Sequence, residues 1–245
     1  MDCEESGFGL VRKMLGIIGA MEEEVESLLK EMKDYKETKK AGMSFFSGSL
    51  CGKDVIVVKS GIGKVNMAMC TQILIDEFKV SQVINTGVAG GLHPEIEIGD
   101  IVISTDALQY DVDCSVFGDP IGTIPRMDCS VFPADKEMIR MAKEACEKVN
   151  PEIKCLKGRV VSGDQFIESA EKKKFLIEQF DPYCAEMEGA AMAHVAYLNQ
   201  VPFVIIRAIS DKADNSAQMN YEEFKTQAIM HTVRLVKEFV SNLSA

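Results

Sequence analysis

Positive charge is in short supply in this chain. Its 245 residues carry 27 lysines and arginines against 38 aspartates and glutamates, a formal net charge of −11. Nucleic acids and anionic membrane surfaces are gripped through basic footprints, so neither is an expected partner. Although 47% of the residues are hydrophobic, no run of eighteen or more apolar residues occurs, and no membrane-spanning helix is expected. The eight cysteines include no C-x-x-C pair, and His93, His194 and His231 show no zinc-ligand spacing with them or with one another. Reduced thiols, no metal and no cofactor are therefore expected. Residues 1–13, "MDCEESGFGLVRK", lack the apolar stretch of a signal peptide. They read as an extension before one domain over 14–245, in a cytoplasmic protein.

Familiar nucleotide and nucleophile signatures are missing as well. "GIIGAM" is not G-x-G-x-x-G, and "GIGKV" (61–65) lacks the outer glycine and the Ser/Thr of a P-loop. No serine or cysteine sits in a G-x-S-x-G elbow. The "DVD" at 111–113 reads as a solvated loop, since two aspartates make no oxygen cage.

Short β-branched runs alternate with helical patterns. "LGIIGA" (15–20) reads as a buried strand, and residues 22–33 as a helix with Val25, Leu28, Leu29 and Met32 on one face. A hairpin (45–61), a helix (65–78) and a strand running into a glycine-rich loop (81–92) follow. A strand (98–105), a long loop (106–133), a helix (133–149) and a strand with its loop (157–167) come next. A buried helix from Gly189, a last core strand in 201–214 and an amphipathic helix from Tyr221 close the chain. This alternation predicts the α/β class: a single domain with a central mixed β-sheet flanked by helices on both faces. Ligands in such folds gather at strand ends.

Carboxylates mark those ends. Glu22, Glu23 and Glu24 follow the first strand, Glu186 and Glu188 precede the buried helix, and Asp211 and Asp214 follow the last core strand. Helix capping and dipole complementation explain any one of them. Converging on one mouth, they could supply a general base, a general acid and an anionic grip on hydroxyls.

From about Met14 to Leu243 the sequence resembles the 5′-methylthioadenosine/S-adenosylhomocysteine nucleosidases, which share the three-layer α/β/α fold of the nucleoside phosphorylases. The resemblance rests on the order and spacing of "GIIGAMEEEV", "SGIGKVNMA", "NTGVAGGL", "GDIVIST", "SGDQFI", "EMEGAAMAHV" and "VPFVIIRAISDKAD". It implies hydrolysis of the N-glycosidic bond, releasing adenine and a free thioribose. Glu24 matches the base that activates water, and Asp211 the acid that protonates the purine at N7. Glu188 matches the carboxylate on the ribose hydroxyls, with Met187 packing on the sugar and Met21 beside it. Phe166 matches the aromatic that stacks on adenine, and Ile167 the backbone that reads its edge. Gly90 lies near the ligand; Arg207, Val88 and Tyr221 complete the expected substrate contacts, and Glu186 supports from behind. Val88 stands where some relatives carry a serine. The resemblance further implies a homodimer whose loop "DVDCSVFGDPIGTIP" lends Cys114, Phe117 and Pro125 to the partner subunit's 5′ pocket.

The implied roles make physical demands. An acid that holds its proton at neutral pH suits Asp211 after a buried strand, where desolvation raises a carboxyl pKa. Glu188 at a helix mouth is expected to stay ionised through the N-terminal N–H groups. Three rivals stand beside this reading. A phosphorylase on the same fold would use cations such as Lys64, Arg159 and Arg207 around phosphate. A nucleosidase of the same fold could act mainly on aminodeoxyfutalosine. A nucleoside-binding module would turn nothing over.

Overall fold

The computed structural model describes residues 14–243; the expected extension at 1–13 lies outside them. In chain order the elements are β1 (Leu15–Gly19), α1 (Glu22–Glu31), β2 (Lys33–Lys40), β3 (Met43–Leu50), β4 (Lys53–Lys59), α2 (Lys64–Phe78), β5 (Gln82–Gly91) and β6 (Ile101–Gln109). A single 3-10 turn at Ser115–Phe117 precedes β7 (Phe132–Pro133), α3 (Lys136–Val149) and β8 (Cys155–Ser162). The chain continues with α4 (Ala170–Phe180), β9 (Cys184–Glu186), α5 (Gly189–Leu198), β10 (Phe203–Asp211) and α6 (Ala217–Ser241).

One mixed sheet runs through the molecule in the order β10-β6-β8-β9-β5-β1-β4-β3-β2. Strand β1 pairs in parallel with β4 and β5, and β5 pairs in parallel with β10 along Phe203–Asp211. Because β10 also pairs antiparallel with β6, the strands β5, β10, β6, β8 and β9 close into a ring. The expected sheet is thus present, and half of it is curled on itself.

Helices cover both faces. On one, Met67, Cys70 and Leu74 of α2 pack with Ala190, Met192, Ala193 and Ala196 of α5 against Ile18, Val58 and Ile205. On the other, Val25 and Leu28 of α1, Met138 and Ala142 of α3, and Leu235 and Phe239 of α6 pack on Ile17, Val57, Ile84 and Ile206. β1 and β10 are buried along their whole length, as fits strands sandwiched between two helical layers. A smaller cluster joins Leu176 and Phe180 of α4 to Leu108, Tyr110 and Val161.

One expectation needs correction, and two elements add to the reading. "KDYKETKK", nearly all of which carried no sequence assignment, is strand β2, exposed at every residue; its lysines suit a sheet edge. The glycine-rich loop expected at the end of 81–92 is instead the second half of β5. Helix α4 carried no sequence assignment, yet it sits between the "SGDQFI" segment and β9.

Candidate active site

Four of the seven carboxylates predicted to converge do so around one cavity of about 370 Å³ at the end of β1, β5, β9 and β10. Glu24, Glu186, Glu188 and Asp211 line it, together with Met21, Val88, Gly90, Phe166, Ile167, Met187 and Tyr221. No lysine or arginine is among its lining residues.

Glu24 enters from the first turn of α1 and is 3% exposed. Its Oε2 accepts the Ala20 and Met21 N–H groups at 2.6 and 2.9 Å, and its Oε1 accepts the Val88 N–H at 3.3 Å. Strand β5 must come very close for the last of these. A Cβ built on Gly87 would stand 2.4 Å from Glu24 Oε1 and 2.6 Å from Arg207 Nη1. Gly87 therefore belongs to the site, and its signal was hidden because the glycines of "NTGVAGG" look like turn formers. Burial pushes the Glu24 carboxyl above the usual range, against the pull of Arg207 and the three backbone donors. Glu22 and Glu23 do not join it: Glu22 pairs with Lys59 at 2.5 Å, and Glu23 is exposed.

The two glutamates at the mouth of α5 divide the work differently from the expectation. Glu186, not Glu188, accepts the helix-end N–H groups, with Glu188 N at 3.1 Å and Gly189 N at 2.7 Å from its Oε2. Ser162 Oγ and Arg207 Nη2 also donate to Glu186. Two residues on, the chain has turned into the helix, and Glu188 receives only the Gly63 N–H, at 2.9 Å. Its carboxyl is pushed up to about 7, by burial first and by the negative charge of Glu186 second. The helix end that was expected to keep Glu188 ionised serves its neighbour.

Arg207 also departs from its expected place. It was assigned to substrate, but its side chain is 1% exposed and stands behind the carboxylates. It donates to Asn85 and Glu186 and lies 3.8 Å from Glu188. Burial among acids makes it a counter-ion holding the site together.

Asp211 ends β10 and is 2% exposed. Ser210 Oγ donates to its Oδ2 at 2.9 Å and Ala213 N to its Oδ1 at 2.8 Å. Burial nevertheless raises its carboxyl above the ordinary range, as the buried strand led us to expect. Gly90 is required here: a Cβ on it would lie 2.9 Å from Asp211 Oδ1 and from Ala213 Cβ. Asp214 turns away, accepting from Ser216 at 2.7 Å.

An apolar wall faces these acids. Phe166 and Tyr221 meet edge to face, with ring centroids 5.9 Å apart, and Tyr221 Oη donates to Met21 Sδ at 3.3 Å. Val88 lines the cavity with no hydroxyl to offer. Cys114, Phe117 and Pro125 lie outside this cavity; Phe117 is 85% exposed beside an equally bare Val116.

The cations that a phosphate site would need are engaged elsewhere. Lys64 Nζ binds Asp111 at 2.6 Å and Gln109 at 3.0 Å, and Arg159 binds Asp106 at 2.6 Å and the Phe180 carbonyl at 3.0 Å. Among the described residues no group of three or more His, Cys, Asp or Glu is arranged to hold a metal ion. No helix there is long and apolar enough to cross a membrane.

Comparison with known proteins places this geometry in context. A family model described as the phosphorylase superfamily matches residues 14–241. A 5′-methylthioadenosine/S-adenosylhomocysteine nucleosidase of Anoxybacillus flavithermus is 42% identical over 231 residues, covering 94% of this chain and 99% of that protein. The Neisseria meningitidis nucleosidase of the same name, solved in complex with methylthio-immucillin-A, superposes with a TM-score of 0.90 at 38% identity, over 94% of this chain and all of that one. The native futalosine hydrolase of Helicobacter pylori superposes with a TM-score of 0.89 at 34% identity, over 95% and 99% of the two chains.

Proposed function

This chain belongs to the phosphorylase superfamily, among the 5′-methylthioadenosine/S-adenosylhomocysteine nucleosidases, and from that membership we propose how its residues perform the reaction. It is an N-glycosidic hydrolase that releases adenine and a free thioribose from these two nucleosides. The observation that carries this is the cavity itself, in which Glu24, Glu188 and Asp211 converge and no cationic side chain takes part.

Breaking the bond builds positive charge on the ribose and negative charge on the departing base. Asp211, holding its proton because it is buried, donates it to purine N7 and makes adenine a better leaving group. Glu188 accepts from the ribose hydroxyls, and its charge stabilises the oxocarbenium-like centre. Glu24, fixed by three backbone donors, takes a proton from the attacking water. Its carboxylate favours water and repels phosphate. Phe166 stacks on the adenine, the Ile167 backbone reads its edge, and Met21 and Met187 pack around the sugar.

The unpartnered Val116 and Phe117 support a homodimer in which Cys114, Phe117 and Pro125 line the partner subunit's 5′ pocket. Residues 14–245 form the nucleosidase domain, in a cytoplasmic enzyme of methionine salvage. The likeness to a futalosine hydrolase favours a second reading of substrate range, in which nucleosides with larger 5′ groups, aminodeoxyfutalosine among them, are also cleaved.

Incubation with methylthioadenosine, with and without phosphate, tests the reaction. Adenine and free methylthioribose at a phosphate-independent rate are expected; a sugar 1-phosphate formed only with phosphate would overturn the role of Glu24. Asp211→Asn should lower turnover by about 10²–10⁴-fold while leaving substrate affinity nearly intact. A pure binding module would have no turnover to lose.

A further inference from the structure

Helix α4 links two walls of the cavity that grip the base. Phe166 and Ile167, on one wall, lead directly into it, and the Asp211–Ala217 turn, on the other, is fastened to its first turn. Lys173 Nζ donates to the Lys212 carbonyl at 2.5 Å and lies 3.8 Å from Asp214 Oδ2. Asn215 Oδ1 accepts the Ala170 N–H at 3.3 Å. Lys212 itself points the other way, to the Ile96 carbonyl and to Glu97 at 2.9 Å. Its backbone carbonyl is thus left as the handle that Lys173 holds.

Resting on the hydrolase reading above, we infer that Lys173 is a positioning residue for the acid step, clasping the turn that carries Asp211 against the adenine-facing segment. It is not among the residues that line the cavity. It acts on the residue immediately after Asp211 in the chain, at a point where a displacement of about 1 Å is worth about 10² in rate. Across the same seam Asn215 makes a longer hydrogen bond and Ala213 shares an apolar cluster with Leu176 and Phe180 of α4, so Lys173 supplies the charge-assisted hold on the turn. Lys173 is 22% exposed at its side chain, and partial burial lowers its pKa while Asp214 and Asp211 oppose that shift. Charged and titratable groups facing Asp211 come from each neighbouring element: Lys173 from α4, Asp214 from its own turn, and Tyr221 from α6.

Lys173→Met and Lys173→Arg test this in the full-length protein. Hydrogen exchange at Ala213, Ser216 and Ala217, whose N–H groups are bonded within the turn, should quicken about tenfold in the Met variant, the factor for one lost charge-assisted bond. With methylthioadenosine, kcat should fall about tenfold or more while KM changes little. Removing the ammonium also removes a charge that favours the ionised form of Asp211. The loss of activity at high pH, which follows Asp211 deprotonation, should therefore move to higher pH. The Arg variant should restore the exchange rates, kcat and the position of that limb. Unchanged exchange, or an alkaline limb that stays at the wild-type position, overturns the assignment. An inert wild type would remove the hydrolase reading, and the exchange rates would still decide whether the clasp exists.

Discussion

Replacing Gly87 by alanine adds one methyl group to β5 and asks how closely the base must be held. The backbone of this strand tolerates alanine, so the effect comes from contact alone. The new Cβ would begin 2.4 Å from Glu24 Oε1 and 2.6 Å from Arg207 Nη1, where ordinary contact begins at 3.4 Å. Relieving both needs displacements of about 1 Å, and Glu24 cannot retreat without stretching its bonds to the Ala20 and Met21 N–H groups. Such misplacement of a reacting group costs about 10² in rate. Overpacking costs about 1–3 kcal/mol in stability, which for a chain of this size lowers Tm by several degrees. Steady-state kinetics on methylthioadenosine, with a thermal melt to confirm folding, read both numbers. A variant that folds and keeps kcat within about threefold of wild type would refute the claim that β5 is fitted to the catalytic carboxylate.

Arg207→Met should destabilise the fold by about 3–5 kcal/mol in urea at pH 7, because it leaves Glu186 and its neighbours buried without their counter-ion. Glu188→Gln should change the pH dependence of stability. The folded pKa of Glu188 is raised to about 7 from 4.5, so the folded state holds a proton in that interval that the unfolded state releases. Wild-type stability therefore falls as pH rises from about 4.5 to about 7 on account of this group, and urea midpoints of the Gln variant should show a relative gain at pH 8 that is absent at pH 4.5. Phe117→Asp should weaken self-association in sedimentation velocity and raise KM for methylthioadenosine by about tenfold or more, since it places a charge on a bare apolar tip. Equal sedimentation and equal KM would count against the proposed exchange of loops.

The central strands were legible because burial on both faces writes itself as continuous β-branched runs: "LGIIG" and "FVIIRAIS" leave little else to be read. Strand β2 was not, because an exposed edge has no apolar residues to repeat, and lysines that protect an edge look like a loop. Glycines misled in the same way. Those of β5 are there for atoms of Glu24, Arg207, Asp211 and Ala213, which only the folded chain brings near. Acids at strand ends could be found from pattern alone, whereas their roles came through resemblance. The division of labour between Glu186 and Glu188 depends on the backbone turning between them, and no periodicity in "EME" records that turn.

The ring of strands has a bearing on how the protein is made. β5 is held on one side by β1, which precedes it, with β9 continuing that side at Gly90 and Gly91, and on the other by β10, which comes much later in the chain. A nascent polypeptide emerging from the ribosome must therefore carry an open edge of β5 until Phe203–Asp211 has been synthesised. During that wait the edge offers unpaired backbone groups to any other chain. Chains interrupted before Phe203 belong in the insoluble fraction, and slower synthesis in the cold should raise the yield of folded enzyme.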